Sequence, residues 1–375
     1  MTLQLNDEQL LIKQSAEQFI EREYTFEQRR HALASDSFIN ESVWAQMAEL
    51  GWLGAGLAEA SGGFGGGPIE HMVICEALGR AMVLEPFVST AVIGARALEL
   101  ADDASVATPL LEKLIEGKYR LALAYAEQGT RFEIDQTSAR VQTQGNSTII
   151  NGTKIAVMDA PSANALIVSA KPSDADAGRV GLYLVDLDTP GVEMESYRAQ
   201  DGRPCSTVRL DNAQALTFID PERGVEALQS LVDHAAAARC AEAAGAMQAA
   251  FEQTVDYLKQ REQFGVPLGS FQVIQHRLVD LLMYARECQA KVLMTAVEID
   301  GANADERLKA VSAAKVYIGK RARKLGQEIV QLHGGIGMTE ELPIGHFFRY
   351  LTQFCSTYGS SAHHLTRYVN ATTKP

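Results

Sequence analysis

The sequence has no apolar run near the roughly 18 residues that suggest a membrane span, and its first residues lack the basic-then-apolar order of a secretory signal. Membrane insertion and export are therefore not expected. Positive charge is scarce as well. With 34 lysines and arginines against 47 aspartates and glutamates, the net charge is −13, which argues against nucleic acid as the main partner. Any phosphate-bearing ligand has to be held by local arginines and helix N-termini. The five cysteines, Cys75, Cys205, Cys240, Cys288 and Cys355, include no C-x-x-C pair. Neither a disulfide framework nor a metal site is expected, and a reducing cytoplasm fits. No P-loop lysine follows the glycine-dense loop Ser61-Gly62-Gly63-Phe64-Gly65-Gly66-Gly67, and no strand precedes it. That loop reads better as a flexible connector than as a phosphate cradle.

What is present is an ordinary globular inventory: 46% hydrophobic and 22% charged residues over 375 positions, enough for a large core and two or three domains. Residues 1–118 read as helical. Asn6 and Gln9 have the spacing of a capping box, Asn40 suits the N-cap of a helix over Glu41–Leu50 stopped by Gly51, and Pro68 suits the first turn of a helix reaching Arg80. Residues 119–222 switch to a strand pattern. Leu121, Leu123 and Tyr125 alternate, as do Val141, Thr143 and Gly145, and runs such as Ala165–Ala170 and Val180–Val185 are punctuated by Asn151-Gly152 and Gly191. Residues 223–375 return to helices, with an alanine-dense stretch from Ala235 to Ala250 whose small side chains favour close packing. Long helical patterns follow over Gln272–Ala296 and Leu308–Val330. Helices, strands, helices: three domains.

Two stretches of the last region carry chemistry. Arg261-Glu262-Gln263-Phe264-Gly265 and Gln331-Leu332-His333-Gly334-Gly335-Ile336-Gly337 offer a guanidinium, amides and glycines that let backbone N–H groups approach a diphosphate. Singly, R-x-x-F-G is ordinarily a helix C-cap and G-G-x-G ordinarily a loop, and His333 reads as a packing residue.

Together they resemble the FAD-holding motifs of the acyl-CoA dehydrogenase family. The likeness continues through Leu5-Asn6-Asp7-Glu8-Gln9-Leu10-Leu11, an N-G-x-K hairpin at Asn151-Gly152-Thr153-Lys154, and Phe271-Gln272-Val273-Ile274-Gln275. It implies an α+β multidomain fold: an N-terminal helical domain, a middle antiparallel β-barrel and a C-terminal four-helix bundle. It also implies that Arg261, Phe264, Gln272, Gln331, Gly334 and Gly335 contact the diphosphate and adenosine end of FAD, across an interface with the subunit that seats the flavin ring. Inherited structure that no longer binds is the open alternative.

The same resemblance fails where the reaction takes place. Where relatives carry T-E-P-G-x-G-S-D, this chain has Ala126-Glu127-Gln128-Gly129-Thr130-Arg131, with Thr130 near the serine's place as the remaining cofactor contact. Their W-I-T, an aromatic wall and a hydroxyl for the flavin, is Ala156-Val157-Met158. The catalytic glutamate's usual place, in E-G-T, reads Tyr358-Gly359-Ser360, and the alternative place on the first helix of the last domain is Ala235. Deprotonating a tyrosine of ordinary pKa at pH 7 costs about 4 kcal/mol, so Tyr358 is a poor base. Asp233 matches the aspartate of a substrate-contacting D-x-x-R, but Ala236 replaces the arginine; a helix-start acid or solvated charge is the plainer reading. His363 and His364 are expected at the surface, without metal.

More narrowly, the chain resembles the small subunits of heteromeric members, such as pimeloyl-CoA dehydrogenase and enzymes of fatty acid or steroid side-chain degradation. The Gly-Gly-Phe-Gly-Gly-Gly-Pro loop, Gln263–Gln272 and His346-Phe347-Phe348 carry that likeness. It implies FAD-dependent α,β-dehydrogenation of an acyl-CoA thioester by an assembly with a paralogous chain, or with itself, as a dimer or dimer of dimers. A self-sufficient homomeric enzyme with a non-standard base and a non-catalytic CoA-thioester-binding scaffold remain the alternatives.

Overall fold

The computed structural model describes residues 4–144, 147–173, 179–299 and 303–373. The chain divides into two compact units, one of residues 1–33, 68–83 and 236–375 and the other of 34–67 and 84–235. Its first helices are α1 (Asp7–Glu23), α2 (Phe26–Ala34), α3 (Glu41–Glu49) and α4 (Pro68–Arg80). Three of them begin at residues suited to a helix start. Asn6 and Gln9 close the capping box, Asn40 caps α3, and Pro68 opens α4. In the glycine loop, the N–H groups of Gly62, Gly63, Phe64 and Gly65 donate to carbonyls of Glu59, Ala58, Gly54 and Leu57. Those donors are spent on the chain itself, so the loop is a connector.

In the second unit, a fully buried π-helical turn (Val88–Gly94) precedes α5 (Ala95–Leu100) and α6 (Ala104–Ile115). Seven strands follow: β1 (Leu121–Ala124), β2 (Arg140–Gln144), β3 (Ser147–Met158), β4 (Ala165–Pro172), β5 (Gly181–Asp186), β6 (Val192–Arg198) and β7 (Pro204–Ile219). Antiparallel pairing joins β2 to β3, β3 to β7, β7 to β5 and β5 to β4. The short parallel contact of β4 with β2 closes the ring, and β1 also lies parallel to β4. The interior is filled by small and branched side chains, among them Ala122, Ala124, Val141, Ile150, Leu166, Val168, Val185, Val208 and Leu210. All of β1 is buried, on both faces rather than in alternation. Asn151-Gly152 sits at a bulge within β3 and makes no hairpin turn. The asparagine instead bridges sideways to β7, accepting from the Asn212 backbone at 2.8 Å and donating to its side chain at 3.2 Å. Gly145 lies outside the described residues.

The remaining helices are α7 (Gly224–Gln260), α8 (Gln272–Ile299), α9 (Ala304–His333), α10 (Pro343–Phe354) and α11 (Ser361–Thr373), with a short hairpin of β8 (Glu262–Gln263) and β9 (Val266–Pro267) after α7. Among the described residues no helix is long and apolar enough to cross a membrane, and none of the five cysteines, all buried, is in a disulfide.

In the first unit the alanine-dense part of α7 crosses α4 through reciprocal glycines. A Cβ on Gly245 would lie 1.8 Å from the Glu76 carbonyl oxygen, and one on Gly79 would lie 1.9 Å from that of Glu242. Both obstacles are backbone, so no side chain can swing aside. Gly245→Ala is therefore expected to cost at least the ~1–3 kcal/mol typical of an overpacked core. An unchanged melting temperature would show that the helices separate freely.

Candidate functional site

The arginine motif caps α7, the Arg261 N–H donating to the Tyr257 carbonyl at 2.8 Å, and then continues into a hairpin. α7 ends at Gln260, and the chain turns back through the β8–β9 hairpin, with Phe264 (φ +57°) and Gly265 (φ +82°) both left-handed at its tip. Two left-handed residues between two-residue strands are the tight primed turn that suits strand twist. A phenylalanine accepts that backbone only at a cost, and here its ring is 90% exposed, meeting Phe271 edge-on at 6.1 Å between centroids. Arg261 and Gln272 are exposed on the same segment, with Gln275 tying the start of α8 to the Gly269 carbonyl at 3.0 Å.

The second motif closes α9. Gln331 is exposed, while His333 is buried, stacked on Tyr257 at 4.2 Å and bonded to the Ile329 carbonyl at 2.8 Å, which makes it a packing residue. Burial lowers its pKa. The chain then enters a 3₁₀ turn over Gly334–Met338. Nothing lies within 4 Å of a Cβ built on Gly334 or Gly335, whereas one on Gly337 would meet His333 at 2.9 Å. The first two glycines thus leave open backbone, and the third packs. An exposed guanidinium, an exposed aromatic ring, two amides and bare backbone fit the diphosphate and adenosine end of a dinucleotide.

The loop after β1 is built differently. Glu127 is buried and accepts hydrogen bonds from the Thr137 and Ser138 hydroxyls, from the Ser138 N–H at 2.6 Å and from the Ala139 N–H at 3.0 Å. Lys154 of β3, fully buried, donates to it at 2.7 Å and to Thr137 and Ser169. Burial alone would raise the Glu127 carboxyl, but the adjacent ammonium and hydroxyls bring it down to about 2. The glutamate kept from the altered motif therefore anchors the loop. Thr130 donates its hydroxyl to the Glu127 carbonyl at 3.0 Å, closing the turn from which Arg131 emerges exposed. Ala156 is exposed and left-handed (φ +50°) beside Val157 and Met158. Neither an indole nor a spare hydroxyl is offered there, so these residues do not fit an isoalloxazine ring.

At the positions for a base, Ala235 is fully buried on α7. Asp233 is no solvated charge: it is fully buried and accepts from Gln229 at 3.0 Å. Tyr358 is buried in the turn between α10 and α11, with left-handed backbone (φ +51°). The expectation for His364 is overturned. It is buried, because its ring bonds the Tyr358 carbonyl at 2.9 Å and Ser312 of α9 at 3.3 Å, and only His363 is partly exposed. Sequence reading also missed Lys315 of α9, fully buried against the same turn, since a lysine within a helical pattern reads as surface.

Three family models match, described as the N-terminal, middle and C-terminal domains of acyl-CoA dehydrogenase, at residues 6–118, 122–213 and 222–367. Mitochondrial isovaleryl-CoA dehydrogenase of Pongo abelii is 27% identical, over 92% of this chain and 84% of that protein. Among solved structures, a variant of the steroid ACAD Tcur3481-Tcur3483 is 29% identical with a TM-score of 0.88, covering 99% of this chain and 98% of that one. The ChsE4-ChsE5 complex from Mycobacterium tuberculosis shares the fold at 20% identity, with a TM-score of 0.90 and full coverage of both chains. With all three domain models matched in order and almost end to end, the chain belongs to the acyl-CoA dehydrogenase family of oxidoreductases that act on acyl-CoA thioesters.

Proposed function

We propose that this chain is the base-lacking subunit of a heteromeric, FAD-dependent acyl-CoA dehydrogenase, supplying the adenine and diphosphate half-site to a flavin seated in a paralogous partner. The observation that carries the reading is the contrast between its two halves. Phe264 is held 90% exposed at a left-handed hairpin tip beside Arg261, while Ala156-Val157-Met158 offer a flavin ring neither indole nor hydroxyl and Thr130 donates its hydroxyl to the Glu127 carbonyl. An exposed phenylalanine forgoes about 2–3 kcal/mol of burial, which a bound adenosine or a partner surface would recover. Bound FAD would supply the hydride acceptor for α,β-dehydrogenation. This chain's part would be to hold the cofactor: Arg261 at the diphosphate, Phe264 at the adenosine, and Gln272, Gln331, Gly334 and Gly335 through amides and open backbone. The likeness to the Tcur3481-Tcur3483 steroid ACAD supports a paralogous partner and a steroid-derived acyl group, the fold being shared with the ChsE4-ChsE5 complex; fatty acid or steroid side-chain degradation is the pathway of the same reading. A dimer of dimers in the cytoplasm belongs to the same reading.

Arg261→Ala tests it. In the assembled protein the substitution is expected to weaken FAD retention by about 1.5–3 kcal/mol, the scale of a charged hydrogen bond. Flavin per chain, measured after dialysis for the lone chain and for its complex with the paralogue, checks this. Unchanged occupancy would sink the assignment.

A further inference from the structure

Three polar side chains interrupt the alanine-dense run of α7, and two of them satisfy each other: Arg239 and Glu242 form a buried ion pair. The third, Gln248, is 5% exposed, and only half of its amide is used. Its nitrogen donates at 2.7 Å to Glu252, one turn further along α7, while its oxygen accepts no hydrogen bond among the described residues. Exchanging the two ends of the amide would not help, because it would set oxygen against carboxylate. A buried acceptor without a donor carries its full desolvation cost, so the oxygen calls for a donor from elsewhere.

Gln248 lines a cavity of about 440 Å³ among α1, α4, α7 and α8, all within the first unit. That volume suits a small organic molecule. Arg80 of α4 donates to Glu252 at 2.7 Å, and the two charges cancel. Burial alone would raise the Glu252 carboxyl, but the bonds from Gln248 and Arg80 lower it, which keeps it ionised. Beyond that pair, Glu17, Glu21 and Glu76 face Lys13 and Arg286, a surplus of negative charge. Lys13 reaches Glu17 only at 4.0 Å. Glu76 accepts from the neutral amide of Gln289 at 2.6 Å, and Arg286 donates to the oxygen of that amide at 3.1 Å rather than to a carboxylate. Glu21, exposed on α1, has no hydrogen-bond or ion-pair partner among the described residues. Two carboxylates, one half-buried and one exposed, are thus without a cation.

We propose that this cavity seats a small aliphatic diamine, with one ammonium at Gln248 and Glu76 and the other at Glu21. An ammonium carries three donors and no acceptor, so one group can serve the orphaned amide oxygen and a carboxylate together. The terminal torsion of glutamine is soft, and the oxygen can turn to meet it. Ile20 and Val73 supply apolar wall for the methylene stem. An anion would answer Lys13 and Arg286 but leave Gln248 without a donor, and a neutral donor would leave both carboxylates without a cation.

Calorimetric titration of the full chain with cadaverine tests this, with pentylamine and inorganic phosphate as comparators. A chain of net charge −13 attracts any cation, so the decisive variant is one that leaves the charge alone. Gln248→Met should weaken cadaverine binding by about tenfold or more, and Glu76→Gln by at least as much, the scale of a charged hydrogen bond. Glu21→Gln should erase the preference for cadaverine over pentylamine and leave pentylamine unchanged. Gln248→Met removes an unpaired acceptor and should melt as the wild type does; if it fails to fold, the half-buried Glu76 carries the test. The inference is overturned by no saturable binding up to about 10 mM, where affinity is too weak for a built seat. It is overturned equally by an affinity that Gln248→Met or Glu76→Gln leaves unchanged, by equal binding of cadaverine and pentylamine to the wild type, or by phosphate binding more tightly than cadaverine.

Discussion

Lys154→Met is expected to destabilise the β-barrel unit by about 3–5 kcal/mol, the cost of leaving one member of a buried ion pair without its partner. Glu127 retains neutral donors from Thr137, Ser138 and Ala139 in the variant, but the carboxylate is 4% exposed and loses the ammonium that donates to it at 2.7 Å. For a unit of this size the loss corresponds to a fall in melting temperature of roughly 10 °C. Replacing both partners, as Lys154→Met with Glu127→Leu, removes the stranded charge and should recover much of the loss. Acid reports the same pair. Glu127 titrates near 4.5 when unfolded and at about 2 when folded, so its contribution is complete above pH 4.5 and is lost as the pH falls to about 2. Thermal melts of the two variants across that range check the claim. A single variant as stable as the wild type would show that Glu127 is solvated or protonated in the native state.

That pair also marks where the sequence was legible and where it was not. Glu127 and Lys154 could each be placed in a motif, but nothing local shows that a strand and a loop 27 residues apart bring them within 2.7 Å. Caps and periodicity found α1, α3 and α4, because helix starts are decided within a turn by residues such as Asn6, Asn40 and Pro68. The asparagine-glycine pair at 151 misled for the opposite reason: a strong turn signal was overridden by cross-strand bonds to Asn212 that exist only in the closed barrel. Arg261 and Phe264 were recognisable as a motif, whereas the exposure of the ring and the left-handed hairpin beneath it were not. His364 and Lys315 were hidden by their chemistry. Polar residues in helical patterns are ordinarily solvated, and only the return of α11 onto α9 buries them around position 358.

Purified without a paralogous chain, the protein is expected to dehydrogenate acyl-CoA substrates about 10²–10⁴-fold more slowly than a family member with a positioned carboxylate. Removal of a weakly acidic α-proton needs a base aligned with it, and each place where the family keeps one is empty here. Ala235 is a buried methyl group, and Asp233, two residues earlier, is fully buried and hydrogen-bonded to Gln229. Position 358 holds a tyrosine, buried in its turn, where a carboxylate would be needed. Tyr358→Phe should therefore change the lone chain's rate little, since the hydroxyl it removes carries no proton in the reaction. On the proposed assignment, adding the paralogous chain should restore turnover, because the base would then come from the partner. Stopped-flow spectra of the flavin give the decisive measurement. Rapid acyl-CoA-dependent bleaching by the wild-type chain alone, abolished in Tyr358→Phe, would make Tyr358 the base and overturn the assignment of this chain as the base-lacking subunit.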